Sequence, residues 1–234
     1  MMKLNVVDLG RVDYGQALAL QESILARRIR GEVPDTLLLV EHPPVLTVGR
    51  RGSSSNILVS TDMLKTMGVE VYDISRGGDV TYHGPGQLVG YPIMDLGNMG
   101  KDIKDFVWKV EEVFIRLLKQ EYGIHAERDE KKYTGVWVGK DKITAIGIAV
   151  KKWVTMHGFA FNVNTDLSHF NWIVPCGITD KGVTSLEKIL GQAVDFQRLS
   201  QKVAEAFCQV FHREAVIVPK EDLLDGAGCK DAKD

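Results

Sequence analysis

Lys142-Ile143-Thr144-Ala145-Ile146-Gly147-Ile148-Ala149-Val150 and Met156-His157-Gly158-Phe159-Ala160-Phe161-Asn162-Val163 are two apolar runs rich in β-branched and aromatic residues, parted by the charged turn Lys151-Lys152. A third run, Thr134–Val138, precedes them across Gly139-Lys140-Asp141. Short apolar runs closed by polar turns predict strands, and three in succession predict an antiparallel meander. Ahead of the meander, Ile103, Phe106, Val107, Val110, Val113, Phe114, Leu117 and Leu118 form a broad stripe at the helical period. The same period recurs at Phe196, Leu199, Val203, Phe207 and Val210, and at Ala17, Leu20, Ile24 and Leu25 before Gly31. Further strands are predicted at 36–40, 45–48, 69–74 and 88–94. With no repeat or low-complexity linker, the economical reading is an α/β (α+β) chain: one domain over 1–215, its mixed, largely antiparallel sheet flanked by helices. Residues 216–234 read as a partly disordered C-terminal segment.

The composition sets limits. At 234 residues, 44% apolar and 26% charged, the chain is ordinary for a globular protein with one substantial core. It has no apolar stretch near membrane-spanning length and no leader-like N-terminus, so a cytoplasmic protein without a membrane partner is expected. A net charge of -2 provides no field to gather nucleic acid, and the pairs Arg50-Arg51, Lys131-Lys132 and Lys151-Lys152 read as solvated faces. An RNA-binding module would also need an aromatic-rich motif that is lacking. The three cysteines form no C-x-x-C pair, which argues against a disulfide framework or a metal knuckle.

Chemistry concentrates in Arg76-Gly77-Gly78-Asp79-Val80-Thr81-Tyr82-His83-Gly84-Pro85-Gly86-Gln87. So many glycines are wasteful in a core but let backbone approach a ligand, and the run reads as a ligand-contacting loop. Its spacing matches neither a phosphate loop nor a dinucleotide fingerprint. Among the thiols, Cys208 lies on a helical stripe and Cys229 in the tail, whereas Cys176 sits in Pro175-Cys176-Gly177, where a sharp turn can present it. A nucleophilic thiol needs a base or cation to lose its proton; His83, His157 and Lys142 are the candidates.

Together these motifs, with Glu41-His42-Pro43-Pro44-Val45 before the loop and Gly182-Val183-Thr184-Ser185-Leu186 after the cysteine, resemble the lipoyl(octanoyl) transferase family over about residues 35–190. The resemblance implies the fold of the biotin and lipoate protein ligase catalytic domains. It implies transfer of an octanoyl group from octanoyl-acyl carrier protein to a lysine of lipoyl domains, those of 2-oxoacid dehydrogenase E2 subunits and of glycine cleavage H protein. In that likeness Cys176 carries the acyl thioester and Lys142 lowers its pKa. Arg76, Gly77, Gly78, Asp79, Val80, Thr81, Tyr82 and His83, with Ala145, Ile146, Gly147, Gly158, Phe159 and Ala160, line the acyl pocket. No metal or cofactor is expected, because thioester exchange is nearly isoenergetic and aminolysis of a thioester runs downhill. The small residues alternating in adjacent strands would leave room for a straight alkyl chain. Rival readings are an ATP-dependent lipoate or biotin ligase of the same fold, which has no use for Cys176, and a cysteine-dependent thioester hydrolase using His83 or His157.

Overall fold

A computed structural model of the chain describes residues 1–129, 133–174 and 181–225. In chain order its elements are β1 (Met2–Arg11), α1 (Tyr14–Ile29), β2 (Asp35–Glu41), β3 (Val45–Val48), α2 (Thr61–Thr66), β4 (Glu70–Asp73), β5 (Val80–His83), β6 (Gln87–Ile93), α3 (Ile103–Tyr122), β7 (Glu127–Arg128), β8 (Val136–Val138), β9 (Asp141–Lys151), β10 (Val154–Asn162), β11 (Gly182–Val183), α4 (Leu186–Leu190), α5 (Phe196–Phe211), β12 (Arg213–Ile217) and α6 (Lys220–Asp225). The main sheet runs β12-β1-β2-β6-β10-β9-β8-β7 with β11 beside β9, and a small sheet runs β4-β3-β5. Among the described residues no helix is long and apolar enough to cross a membrane.

The meander forms as its sequence predicts: β8 pairs with β9 and β9 with β10, all antiparallel. Strand alternation then divides the apolar side chains between two layers. Leu37, Leu39, Leu88, Phe159 and Phe161 face α3 and α5, whereas Leu38, Val40, Val89, Tyr91 and Ala160 face α1. A sheet covered on both faces needs no polar alternation, which is why β2 reads as the unbroken run Leu37-Leu38-Leu39-Val40. Phe114 of α3 packs its ring against Phe159 and Phe161, with centroids 4.8 and 5.1 Å away, and ties the predicted helical stripe to the meander. Asp102 caps α3 by accepting from the backbone N–H groups of Lys104 and Asp105, and Gly123 ends it at φ 66°.

The structure departs from the sequence reading at β1, at the C-terminal end and at β5, and adds the short elements α2, β7, β11 and α4. Residues 2–11 form β1, which lies parallel between β2 and β12. Its side chains are apolar on both faces at Val6 and Val7, which hides the period of two. The domain boundary placed at 215 falls inside β12, and the folded unit continues through α6, whose Leu223 is buried in the α1-side core. Arg213 anchors this extension by an ion pair with Asp35 at 3.3 Å, both side chains 5% exposed. Residues 226–234, the rest of the predicted tail, lie outside the described residues. Finally, the glycine-rich run is only half a loop, since residues 80–83 form β5, antiparallel to β3.

Candidate active site

The glycines at 77 and 78 open a loop held by backbone hydrogen bonds together with the side chains of Arg76 and Asp79. Gly49 N–H donates to Asp79 O, Arg50 N–H to Arg76 O and Arg51 N–H to Gly78 O, all within 3.1 Å. Gly77 N–H donates 2.9 Å to Ile148 O of β9, so the loop crosses onto the edge of the meander. That bond uses the Gly77 donor, which is therefore not available to hold an oxyanion. Gly78 takes φ 89°, a region that favours glycine. Arg76 is buried and works as an internal strut: its guanidinium donates 2.7 Å to Thr47 O and 3.0 Å to Gly77 O.

Between this loop and the meander lies a cavity of about 510 Å³. Its walls include Arg76, Gly77, Gly78, Asp79, Thr81, His83 and Lys142, with Ala145, Ile146, Gly147, Gly158, Phe159 and Ala160. The expected lining residues are thus brought together, with two corrections and one position outside the described residues. Val80 and Tyr82 are buried in the core of the small sheet, and Tyr82 Oη is hydrogen-bonded at 2.8 Å to His169. In a strand, neighbours point to opposite faces, so Thr81 and His83 reach the cavity and Val80 and Tyr82 cannot. Cys176 lies outside the described residues.

The small residues also act differently from expectation. A Cβ on Gly147 would lie 2.8 Å from Gly77 O and 3.2 Å from Arg76 Cδ. One on Gly158 would run into Gly90 O and lie 2.5 Å from Pro92 Cδ. These glycines let backbone segments close on one another more than they make room for a chain. Gly158→Ala is therefore expected to cost about 3 kcal/mol, at the upper end of overpacking penalties, because backbone rather than a flexible side chain is in the way. Denaturant unfolding measures it; wild-type stability would show that β6 and β10 part easily.

Lys142 heads β9, flanked by Trp137 in β8 and by Val183 in β11. Its Nζ donates 3.0 Å to Thr134 O and lies 4.7 Å from the Trp137 ring centroid. Lys181, paired with Asp129, covers the same ring at 4.2 Å. A second cavity of about 360 Å³ shares Thr81, Lys142, Ala145 and Ala160 with the first, so the two meet at Lys142. Ile173, Lys181, Gly182 and Val183, which bracket the stretch containing Cys176, line this second cavity.

The inner wall of the larger cavity is polar yet uncharged at its histidines. Burial brings His42 and His157 down to about 4 and His83 to about 3; His42, Arg76 and His157 further depress His83, and Arg76 depresses His157. His42 receives a 2.7 Å hydrogen bond from the Tyr91 hydroxyl at Nε2 and donates 2.6 Å from Nδ1 to Val12 O. Tyr14 of α1 stacks on His83 at 6.1 Å. Tyr14 and Tyr91 escape a sequence reading, because only folding brings them beside the glycine-rich run. Among the described residues no group of three His, Cys, Asp or Glu is placed to hold a metal ion.

Residues 13–208 match the model of the lipoyl protein ligase A/B catalytic domain. The chain belongs to that family. It is 64% identical over 222 residues to an octanoyltransferase of Caldicellulosiruptor saccharolyticus, covering 95% of this chain and 94% of that one. It is 56% identical to an octanoyltransferase of Desulforamulus reducens, covering 97% and 99%. Its fold is similar to that of a lipoate-protein ligase A bound with ATP, at TM-score 0.78 over 97% of this chain and 93% of the other, with 19% identity. A biotin protein ligase from Aquifex aeolicus shares the fold more distantly, at TM-score 0.51 over 91% and 70% with 14% identity. At such identities the likeness to the two ligases shows the family's fold alone.

Proposed function

We propose that the chain transfers an octanoyl group from octanoyl-acyl carrier protein to a lysine of lipoyl domains, through a thioester on Cys176. The observation that carries this reading is the meeting of two cavities at Lys142, with the glycine-rich loop on one side and the residues bracketing Cys176 on the other. Two protein substrates can then use one centre in turn. In the first half-reaction Lys142 takes the Cys176 proton, and the thiolate attacks the carrier thioester. The carrier thiol leaves with the proton returned from Lys142. In the second, a lysine amine attacks the acyl carbon, a C–N bond forms as the C–S bond breaks, and Lys142 takes the surplus amine proton. The acceptors by this reading are the lipoyl domains of 2-oxoacid dehydrogenase E2 subunits and glycine cleavage H protein, and the setting is the cytoplasm.

The test is intact-mass measurement after incubation with octanoyl-acyl carrier protein alone. One added octanoyl group, removed by hydroxylamine and passed to a lipoyl domain without nucleotide, is expected. Labelling of the domain only with free octanoate and ATP would establish a ligase instead. Release of free octanoate without an acceptor would establish a hydrolase.

A further inference from the structure

His83 is held by a chain of hydrogen bonds whose direction is determined at its ends. Gln87 Nε2 lies 3.2 Å from Tyr82 O and 2.9 Å from Asn162 Oδ1, and Asn162 Nδ2 lies 3.0 Å from Thr184 O. The backbone carbonyls of Tyr82 and Thr184 can only accept, so both amides must present their nitrogens toward them. Gln87 Oε1 then faces His83 Nδ1 at 2.8 Å, and Nδ1 carries the proton. His83 Nε2, the ring nitrogen away from Gln87, is left with a lone pair, and the His83 side chain is part of the wall of the larger cavity. Tyr14 lies parallel to the His83 ring within 8°, with the ring centroids 6.1 Å apart. Thr184, at the far end of the chain, donates its own N–H 3.0 Å to Lys142 O, so the His83 lone pair and the Lys142 backbone hang on one frame.

A lone pair at this place is wasted on an alkyl chain and repels a thioester oxygen. It suits an N–H donor. The groups facing His83 are Tyr14 from α1, His42 beyond β2, Arg76 from the glycine-rich loop and His157 from β10. None of these four is an anion that would attract an ammonium, and the Arg76 cation repels one; the carboxylate on the same cavity wall, Asp79, is engaged by Asn56 Nδ2 and the Val80 N–H. The amine that reaches this wall is therefore unprotonated, the form that attacks an acyl carbon. We propose that His83 Nε2 accepts a hydrogen bond from the nitrogen of the incoming acceptor lysine and aims its remaining lone pair at the acyl carbon. Gln87 and Asn162 are the positioning residues that keep the His83 acceptor turned into the cavity. This role rests on the octanoyl-transfer reading; the proton still leaves to Lys142, and the acylation half-reaction does not use it.

Two measurements test the proposal. In the wild-type protein, ¹⁵N spectra of labelled histidine should show His83 as the Nδ1–H tautomer, and the Nε2–H tautomer would overturn it. Single-turnover kinetics then separate the half-reactions. His83→Phe keeps a ring under Tyr14 without the lone pair, and Gln87→Met releases the tautomer. Each should slow transfer from the acylated enzyme to a lipoyl domain by about 10²-fold, the scale of misplacing a reacting group, and by at least about tenfold more than it slows acylation by carrier protein, which His83 affects only as part of the cavity wall. Folded variants that slow both half-reactions equally, or neither, would overturn the assignment. If neither variant folds, the wild-type tautomer decides. A wild-type protein that never acquires an octanoyl group would overturn the transfer reading itself, and this role with it.

Discussion

In Cys176→Ala, octanoyl transfer falls to the uncatalysed level and no acyl-enzyme forms, while Cys208→Ala keeps its acyl-enzyme. The contrast has a physical source. Cys208 is buried on α5, and burial pushes its thiol pKa up, away from the reactive thiolate. Cys176 stands between Pro175 and Gly177, a few residues before the strand that pairs with Lys142. Lys142→Ala tests the partner: transfer should drop by about 10²- to 10⁴-fold, the usual contribution of a positioned acid–base group, and iodoacetamide should alkylate Cys176 more slowly near neutral pH. Retained transfer in Cys176→Ala would sink the covalent route. An unchanged alkylation rate in Lys142→Ala would assign activation of the thiol to another group.

The second large effect is on stability. His42, His83 and His157 are buried, the last two beside Arg76, with folded pKa values of about 4, 3 and 4 against 6.5 when free. Protons then bind the unfolded chain better than the folded one. The stability these neutral rings contribute is complete above about pH 6.5 and is lost as pH falls toward 4. At pH 5 the loss is about 2 kcal/mol for each ring, a large share of the roughly 5–15 kcal/mol that holds a typical domain together. Denaturant midpoints should fall steeply between pH 7 and pH 5. His157→Asn should flatten that slope by about one proton, since His157 sits at φ 59° and Asn tolerates that region. A midpoint unchanged over this range would show that the rings are solvated.

The meander, α3 and α5 were legible because each carries its own period over many residues, with capping residues or charged turns at the ends. The β12 strand, Arg213–Ile217, was not, since its pairing with β1 spans nearly the whole chain and its side chains are mostly exposed. The short β5 strand was obscured by the glycines around it, and with it the separation of Thr81 and His83 from Val80 and Tyr82.

Hydrophobic period and glycine density are local properties written in consecutive residues, and they are enough to read the kind of fold and the stretches that wall the cavity. How those stretches are used came from folding. It closed Gly147 and Gly158 against neighbouring backbone, used the Gly77 N–H in a bond to β9, and set Tyr14 on His83. It also oriented His83 through Gln87, Asn162 and Thr184, whose hydrogen bonds span 4, 75 and 22 positions in the chain. Direction and burial belong to the folded arrangement: a side chain's proton and lone pair are settled by what lies opposite, and what lies opposite comes from distant sequence.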